Sequence, residues 1–193
     1  SACGGGGDDG VPPENTPAVA ATPAPSAPRA TACDATSGRV LAVGPGKAYA
    51  TPSAAAQVAR EGDVVRIAAG EYRGDVATWT ANRLTICGDG GRARLHADGR
   101  SAGGKAIWVV AGADITIDSI DFHGARVPDH NGAGIRAEHR SGELRVLNSG
   151  FYDNQNGILS AAGPVAITIE GSEFARSDTG TLAALGHNLY IGR

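Results

Sequence analysis

Hydrophobic and polar residues alternate in three near-copied octads: ITIDSIDF (115–122), LRVLNSGF (144–151) and ITIEGSEF (167–174). The apolar positions at the start of each copy are Ile115 and Ile117, Leu144 and Val146, and Ile167 and Ile169. A period of two marks a strand with one buried face. Each octad then breaks and resumes as a second short strand ending on an aromatic residue, Phe122, Phe151 or Phe174. A third apolar stretch follows each copy: NGAGIRAE (131–138), NQNGILSA (154–161) and GHNLYIGR (186–193). The copies lie 29 and 23 residues apart, from Ile115 to Leu144 to Ile167. That length fits three short strands wound into one turn of a coil. Successive turns stack about 4.8 Å apart, the spacing of paired strands. Equivalent residues then superpose, and the three phenylalanines form an interior stack. Less regular earlier turns are supplied by LTI (84–86), ARLHA (93–97) and AIWVV (106–110). A β-sandwich also has many short strands but does not need copies in register. The Leu/Asn signature of a leucine-rich repeat is missing.

Upstream, TPSAAAQVAREGD (51–63) predicts one short helix. Thr51 suits the N-cap, Pro52 the first helical position and Gly62 the end, with Ala55, Val58 and Ala59 on one face. A strand, DVVRIAAGEY (63–72), follows. The run Gly62-Asp63, then Gly70 and Tyr72, resembles the entry of right-handed parallel β-helix proteins of the pectate-lyase-like superfamily. There a capping helix precedes a GD-strand-GxY segment. The resemblance covers residues 40–193. It implies an all-β fold, a single-stranded right-handed parallel β-helix with a short N-terminal capping helix, spanning 35–193. The aspartate cluster that binds calcium in pectate lyases is not recognisable, nor is the W-x-D-H segment beside it, so a calcium cofactor finds no site in the sequence. No cap is evident before Arg193, and an uncapped β-helix is an open sheet edge. The domain is therefore expected to be incomplete at its C-terminal end.

Composition narrows the class. The 41% of hydrophobic residues suffice for a core, and 29 glycines with few aromatics favour short strands and tight turns. A net charge of −3 gives no reason to expect a nucleic-acid partner. No apolar run approaches the roughly 18 residues of a membrane span. Ser1-Ala2-Cys3 resembles the end of a bacterial lipoprotein signal. That implies a diacylated Cys3 and a location in the cell envelope, and Gly4 after the cysteine implies the outer membrane. Two acyl chains give stable attachment where one does not. Residues 4–34 carry Pro12, Pro13, Pro17, Pro23, Pro25 and Pro28 and no periodic apolar face, and are expected to be a tether. Cys33 and Cys87 either pair as a disulfide in an oxidising compartment or stay as two thiols; without C-x-x-C spacing they are not a zinc or redox pair.

Function must come from residues, since fold alone does not give it. In the family resembled, substrate lies along the outer face of the sheet that here contains GIRAE and GILSA. Alternation puts Ile135, Ile158 and Leu189 inward and Arg136, Leu159 and Tyr190 outward. The same register carried to earlier turns predicts a track Arg66–Trp108–Arg136–Leu159–Tyr190. Aromatic faces suit sugars, and guanidinium groups pair bidentately with carboxylates. Loops entering this sheet hold His123, Arg126, Asp129 and His130, then Tyr152 and Asp153, then Arg176, Asp178 and His187. A common register sets His130 and Asp153 on adjacent rungs as a His–carboxylate pair able to orient a general base. A lyase or epimerase acting on uronic acids would use Arg136 against the carboxylate and His130 or Tyr190 as base. A glycoside hydrolase would use two carboxylates drawn from Asp129, Asp153, Asp178 and Glu138. Arg66, Trp108, His123, Arg126, Glu138, Tyr152 and His187 are the expected substrate contacts. The expected protein is thus polysaccharide-active and anchored at the cell surface. The competing reading is a glycan-binding or scaffold lipoprotein without catalysis.

Overall fold

The computed structural model of the chain describes residues 1–2, 29–162, 166–177 and 186–192. Cys3 and Asp178 lie outside these. In chain order the strands are β1 (Val40–Val43), β2 (Val64–Arg73), β3 (Ala77–Trp79), β4 (Thr85–His96), β5 (Ala106–Val110), β6 (Ile115–Asp118), β7 (Ile120–His123), β8 (Ala133–Ala137), β9 (Glu143–Leu147), β10 (Gly150–Tyr152), β11 (Asn156–Ser160), β12 (Ala166–Glu170), β13 (Glu173–Ala175) and β14 (His187–Ile191). Every named pair is parallel. The chain is an all-β parallel β-solenoid of about five turns.

Three columns of rungs make the solenoid. The first holds β1, the start of β2, the start of β4, β6, β9 and β12; the second holds the ends of β2 and β4, then β7, β10 and β13; the third holds β3, β5, β8, β11 and β14. The two intervals seen in the sequence are two rung pairings, Ile115 with Leu144 and Leu144 with Ile167. A single turn cannot bury its apolar face alone, so stacking supplies the core. Phe122, Phe151 and Phe174 form the predicted column, with ring centroids 5.0 and 4.6 Å apart and planes within 10° and 5° of parallel. Trp108 meets Phe122 edge-on at 5.2 Å, and Trp79 meets Trp108 likewise at 5.2 Å.

Two expectations are corrected. Trp108 was expected on the outside; it is fully buried and pairs with Ile135, and Val109 takes the outward place beside Arg136. Alternation fails because two consecutive residues of β5, Ile107 and Trp108, both join the core. The next rungs put Gly134 and Gly157 where Ile107 stands. A Cβ on Gly134 would sit 2.7 Å from a ring carbon of Phe151, and one on Gly157 would sit 2.5 Å from Phe174. The phenylalanine rings fill that space. Arg66 was expected on the same track but belongs to the first column, between Ala42 and Cys87. Alternation tells in from out, not one column from another.

The entry segment also differs from expectation. The helix α1 is only Pro52–Ala56, and Val58 is exposed. So short a helix draws its stability from its surroundings. Thr51 caps Ala54 weakly at 3.4 Å, and Asp75 accepts from the Ser53 N–H at 3.0 Å. Gly62 closes a later turn instead. The buried Asp63 beside it accepts from the Arg60 N–H at 2.7 Å and from Arg39 Nε at 3.0 Å. Gly70 marks the bend in β2, and the Tyr72 hydroxyl donates back to the Ala68 carbonyl at 2.8 Å.

Residues 29–34 run as a strap along the outside of the first column. Cys33 is disulfide-bonded to Cys87, and both are buried. Arg66 donates to the Cys33 carbonyl and to Asp34, each at 3.0 Å. One rung on, the Ala32 N–H donates to the buried Asp118 at 2.7 Å; another rung on, Arg29 donates to Asn148 at 2.8 Å.

Candidate functional site

On the third column the expected order Arg136–Leu159–Tyr190 is present, each beside the next. Val109 and Thr78 continue it in place of Trp108 and Arg66. Val109 and Leu159, on either side of Arg136, are nearly buried at 5% and 4% exposure, so apolar rungs flank the arginine. Tyr190 is half-exposed and stacks on His187 at 5.4 Å. Arg136 faces Glu138 at 3.7 Å, and Lys105 donates to the same carboxylate.

His130 and Asp153 do not pair. The loop holding His130 is pinned by three consecutive buried amides. Asn154 accepts from the Ala125 N–H and donates to the Phe122 carbonyl, at 2.8 and 3.0 Å. Gln155 accepts from the N–H groups of Val127 and Gly132, both at 2.8 Å. Asn156 donates to the His130 carbonyl at 3.2 Å. The His130 ring meets Gln155, 3.4 Å from its amide nitrogen. Asp153 instead follows β10 directly and is held by Arg176 through two bonds of 2.7 and 2.9 Å.

Asp153 belongs to a denser cluster, on the outer face of the second column. Here His96, His123 and Tyr152 occupy successive rungs. Their rings stack at 4.7 and 4.9 Å. The Arg176 guanidinium covers the far face of Tyr152 at 5.8 Å. Two residues upstream, in the same column, runs the ladder Glu71, Arg94, Asp121, Gly150 and Glu173, charged at every rung but Gly150. Glu71 bonds both His96 and Arg94, Asp121 accepts from Arg92 at 2.7 Å, and the Tyr152 hydroxyl donates to Glu173 at 3.0 Å. Gly150 is required at its rung: a Cβ there would lie 2.3 Å from the Tyr152 ring and 2.5 Å from Asp121. Gly124, Asp153 and Arg176 each follow a strand of this column in the left-handed region, with φ of 73°, 56° and 56°. Glycine accepts that conformation freely; for arginine it is strained. Arg126 adds a cation at the rim, 3.5 Å from the Asp153 carbonyl.

The electrostatics separate the groups. The Arg94 bond holds Glu71 below the usual carboxylate range, and Arg176 does the same for Asp153. Burial, with the Glu173 bond adding to it, pushes Tyr152 up. Burial pushes His123 down, and neighbouring His96 pushes it further. Its Nε2 is buried without a hydrogen-bond partner among the described residues. The imidazole is therefore neutral at pH 7, with Nδ1 as its accessible nitrogen. Burial also lowers His139, whose ring nitrogens have no hydrogen bond of ordinary geometry among the described residues; the Ala166 backbone carbonyl and Asp114 only partly offset this.

A folded-state value below the ordinary 6.5 makes the unfolded chain the stronger proton binder. Stability is then full above about pH 6.5 and falls as pH drops towards the folded-state values. The arginine-paired carboxylates act only below about pH 4, so the window between belongs to the histidines. Thermal melts from about pH 7.5 to about pH 5 should show a declining midpoint, and His139→Leu should flatten the decline. A midpoint independent of pH across that range contradicts the assignment.

Four expected residues, His123, Arg126, Tyr152 and Asp153, meet at this face; His130, Arg136, Glu138, His187 and Tyr190 lie elsewhere. His96, Asp121, Glu71 and Arg92 were not anticipated. The signal for His96 was present: ARLH (93–96) pairs with IDFH (120–123) residue for residue. Among the described residues, no group of three or more His, Cys, Asp or Glu side chains is arranged to hold a metal ion. The chain matches no protein-family profile, no curated protein and no solved structure.

Proposed function

We propose that the protein is a polysaccharide-recognising β-solenoid, held at the bacterial cell surface through an acylated Cys3, and that it binds glycan along the second column. The observation that carries this reading is the His96–His123–Tyr152 row, flanked by charged groups. A row repeating at the solenoid spacing suits a ligand that itself repeats. The Nδ1 edge of His123 and the Arg–carboxylate pairs offer the hydrogen bonds that sugar hydroxyls need.

Catalysis is a second reading, favoured by one observation. A neutral His123 with an accessible nitrogen can take a proton from the acidic C–H of a uronate, with Arg126 near the sugar carboxylate. Hydrolysis finds less support, because it needs a protonated carboxylic acid and the arginines keep Glu71 and Asp153 ionised.

Residues 1–193 should bind at least one member of a panel of acidic and neutral polysaccharides. Tyr152→Phe keeps the stack and removes the hydroxyl; His123→Ala removes the central ring. Each should weaken binding by about tenfold or more, the effect of a lost polar contact of about 1–3 kcal/mol. Absence of binding across the panel overturns the reading. So does unchanged affinity in both variants when each is folded. Appearance of unsaturated uronate during incubation would establish the catalytic reading.

A further inference from the structure

On the opposite side from the ladder, where the third column bends back to the first, lies a cleft of about 660 Å³. Its polar wall is Asn82, Lys105, Glu138, His139, Arg140 and Ser141, and its floor is alanine: Ala111, Ala113, Ala161 and Ala162. The floor is flat for a backbone reason. Gly112 lies against the preceding turn, where a Cβ would be 2.1 Å from the Ala81 carbonyl oxygen.

The charge in the cleft is unbalanced. Glu138 is the one carboxylate of the wall, and it is shared between Lys105 and Arg136. Arg140 is exposed and has no ion-pair partner among the described residues. Asp114 stands nearby, but its carboxylate accepts from the Glu143 N–H at 3.1 Å and is not part of the wall. Two cations of the wall, Lys105 and Arg140, against one carboxylate that Arg136 also faces, make a local positive excess on a chain of net charge −3. Arg136 Nε is buried without a hydrogen bond among the described residues, so its pairing with Glu138 is incomplete. Asn82 spends its carbonyl on the Ala113 N–H at 2.9 Å, which leaves its amide hydrogens free to donate.

We propose that this cleft binds an anionic sugar unit: Lys105 and Arg140 take its carboxylate or sulfate oxygens, Asn82 and Ser141 its hydroxyls, and the alanine floor its C–H face. Cationic side chains recognise oxoanions through charge-assisted hydrogen bonds. The volume lies within the range of small-ligand sites. The inference does not rest on the ladder, which uses other residues on another face. If both sites hold, one protein contacts two segments of an acidic polysaccharide.

The test is a nuclear magnetic resonance titration of residues 1–193 with trigalacturonate, with a sulfated disaccharide and with a neutral trisaccharide as separate probes. One of the two acidic probes should shift the amides of Ala111, Ala113 and Arg140, and the neutral one should not. Whichever acidic probe binds identifies carboxylate or sulfate as the preferred group. Lys105→Ala with Arg140→Gln should lower that affinity about 10- to 100-fold. Affinity should also fall as salt rises. The ladder variant Tyr152→Phe should leave it unchanged. Both substituted cleft residues are surface groups, and an unchanged melting midpoint verifies the fold of the variant. No shift at the cleft with either acidic probe overturns the proposal, as does equal binding of the neutral probe or undiminished affinity in the double variant. Shifts confined to His96, His123 and Tyr152 would overturn it while leaving the ladder reading intact.

Discussion

Replacing Phe151 by alanine should cost the fold about 3–5 kcal/mol, the range for truncating a buried aromatic residue. Phe151 is almost fully buried and has a phenylalanine ring against each face. Its truncation leaves Phe122 and Phe174 without their common partner and opens a cavity in the middle of the solenoid. The flanking rungs cannot collapse into it, because their spacing is fixed by backbone hydrogen bonds. Gly134 offers no side chain to fill the gap. For a chain of this size the loss lowers the thermal midpoint on the order of 10 °C. Phe151→Leu should cost less, since it keeps most of the volume, and Phe174→Ala should cost less because Phe174 is only half-buried. Thermal or urea unfolding measures all three. A cost below about 1 kcal/mol for Phe151→Ala contradicts the stack.

The second large effect concerns the strap. Cys33 and Cys87 are separated by 54 residues. Closing a loop of that length removes chain entropy worth about 4 kcal/mol on the loop-closure account, and loss of a native disulfide commonly costs about 2–5 kcal/mol. The double variant Cys33→Ser, Cys87→Ser should therefore be less stable by that amount while keeping its parallel rungs, which pair without the strap. A local signature should accompany the loss. The Ala32 N–H donates to Asp118, a carboxylate only 2% exposed whose other partners are Ser119 and Asn148. Freed from the disulfide, the strap should open more often, and hydrogen exchange at Ala32 should rise by more than exchange at Val146. Unchanged stability, or an Ala32 amide as protected as before, contradicts the strap's role.

The octads made the coil legible because stacking repeats its demands at every turn. Ile115, Leu144 and Ile167 face the same interior, so the same residue type recurs, and the three phenylalanines follow suit. Trp108 was misplaced because period-two counting assumes an unbroken pleat, and β5 sends Ile107 and Trp108 into the core together. The compensating glycines, Gly134 and Gly157, stand in the sequence, but their reason lies in rings from another column. Arg66 was misplaced because alternation carries no column label. The His130–Asp153 pair failed for a different reason. Equal distance from an aligned isoleucine does not fix a loop, and Asn154, Gln155 and Asn156 fold this one onto the backbone of the adjacent turn. His96 was within reach, since ARLH and IDFH end alike, but its turn is irregular and hides the alignment. Asp121 and Arg92 meet only through a pairing across turns, which no local pattern announces.

The parallel stacking of the octads is tested most directly by nuclear Overhauser contacts among aromatic and backbone protons of the intact chain. Ring protons of Phe151 should show cross-peaks to both Phe122 and Phe174, with none between the outer two rings. Backbone cross-peaks should join the amides and α-protons of Leu144 and Ile167 in the parallel pattern. Close α-proton to α-proton contacts between residues 144–147 and 167–170, the mark of antiparallel neighbours, would contradict the solenoid and both sites built on its faces.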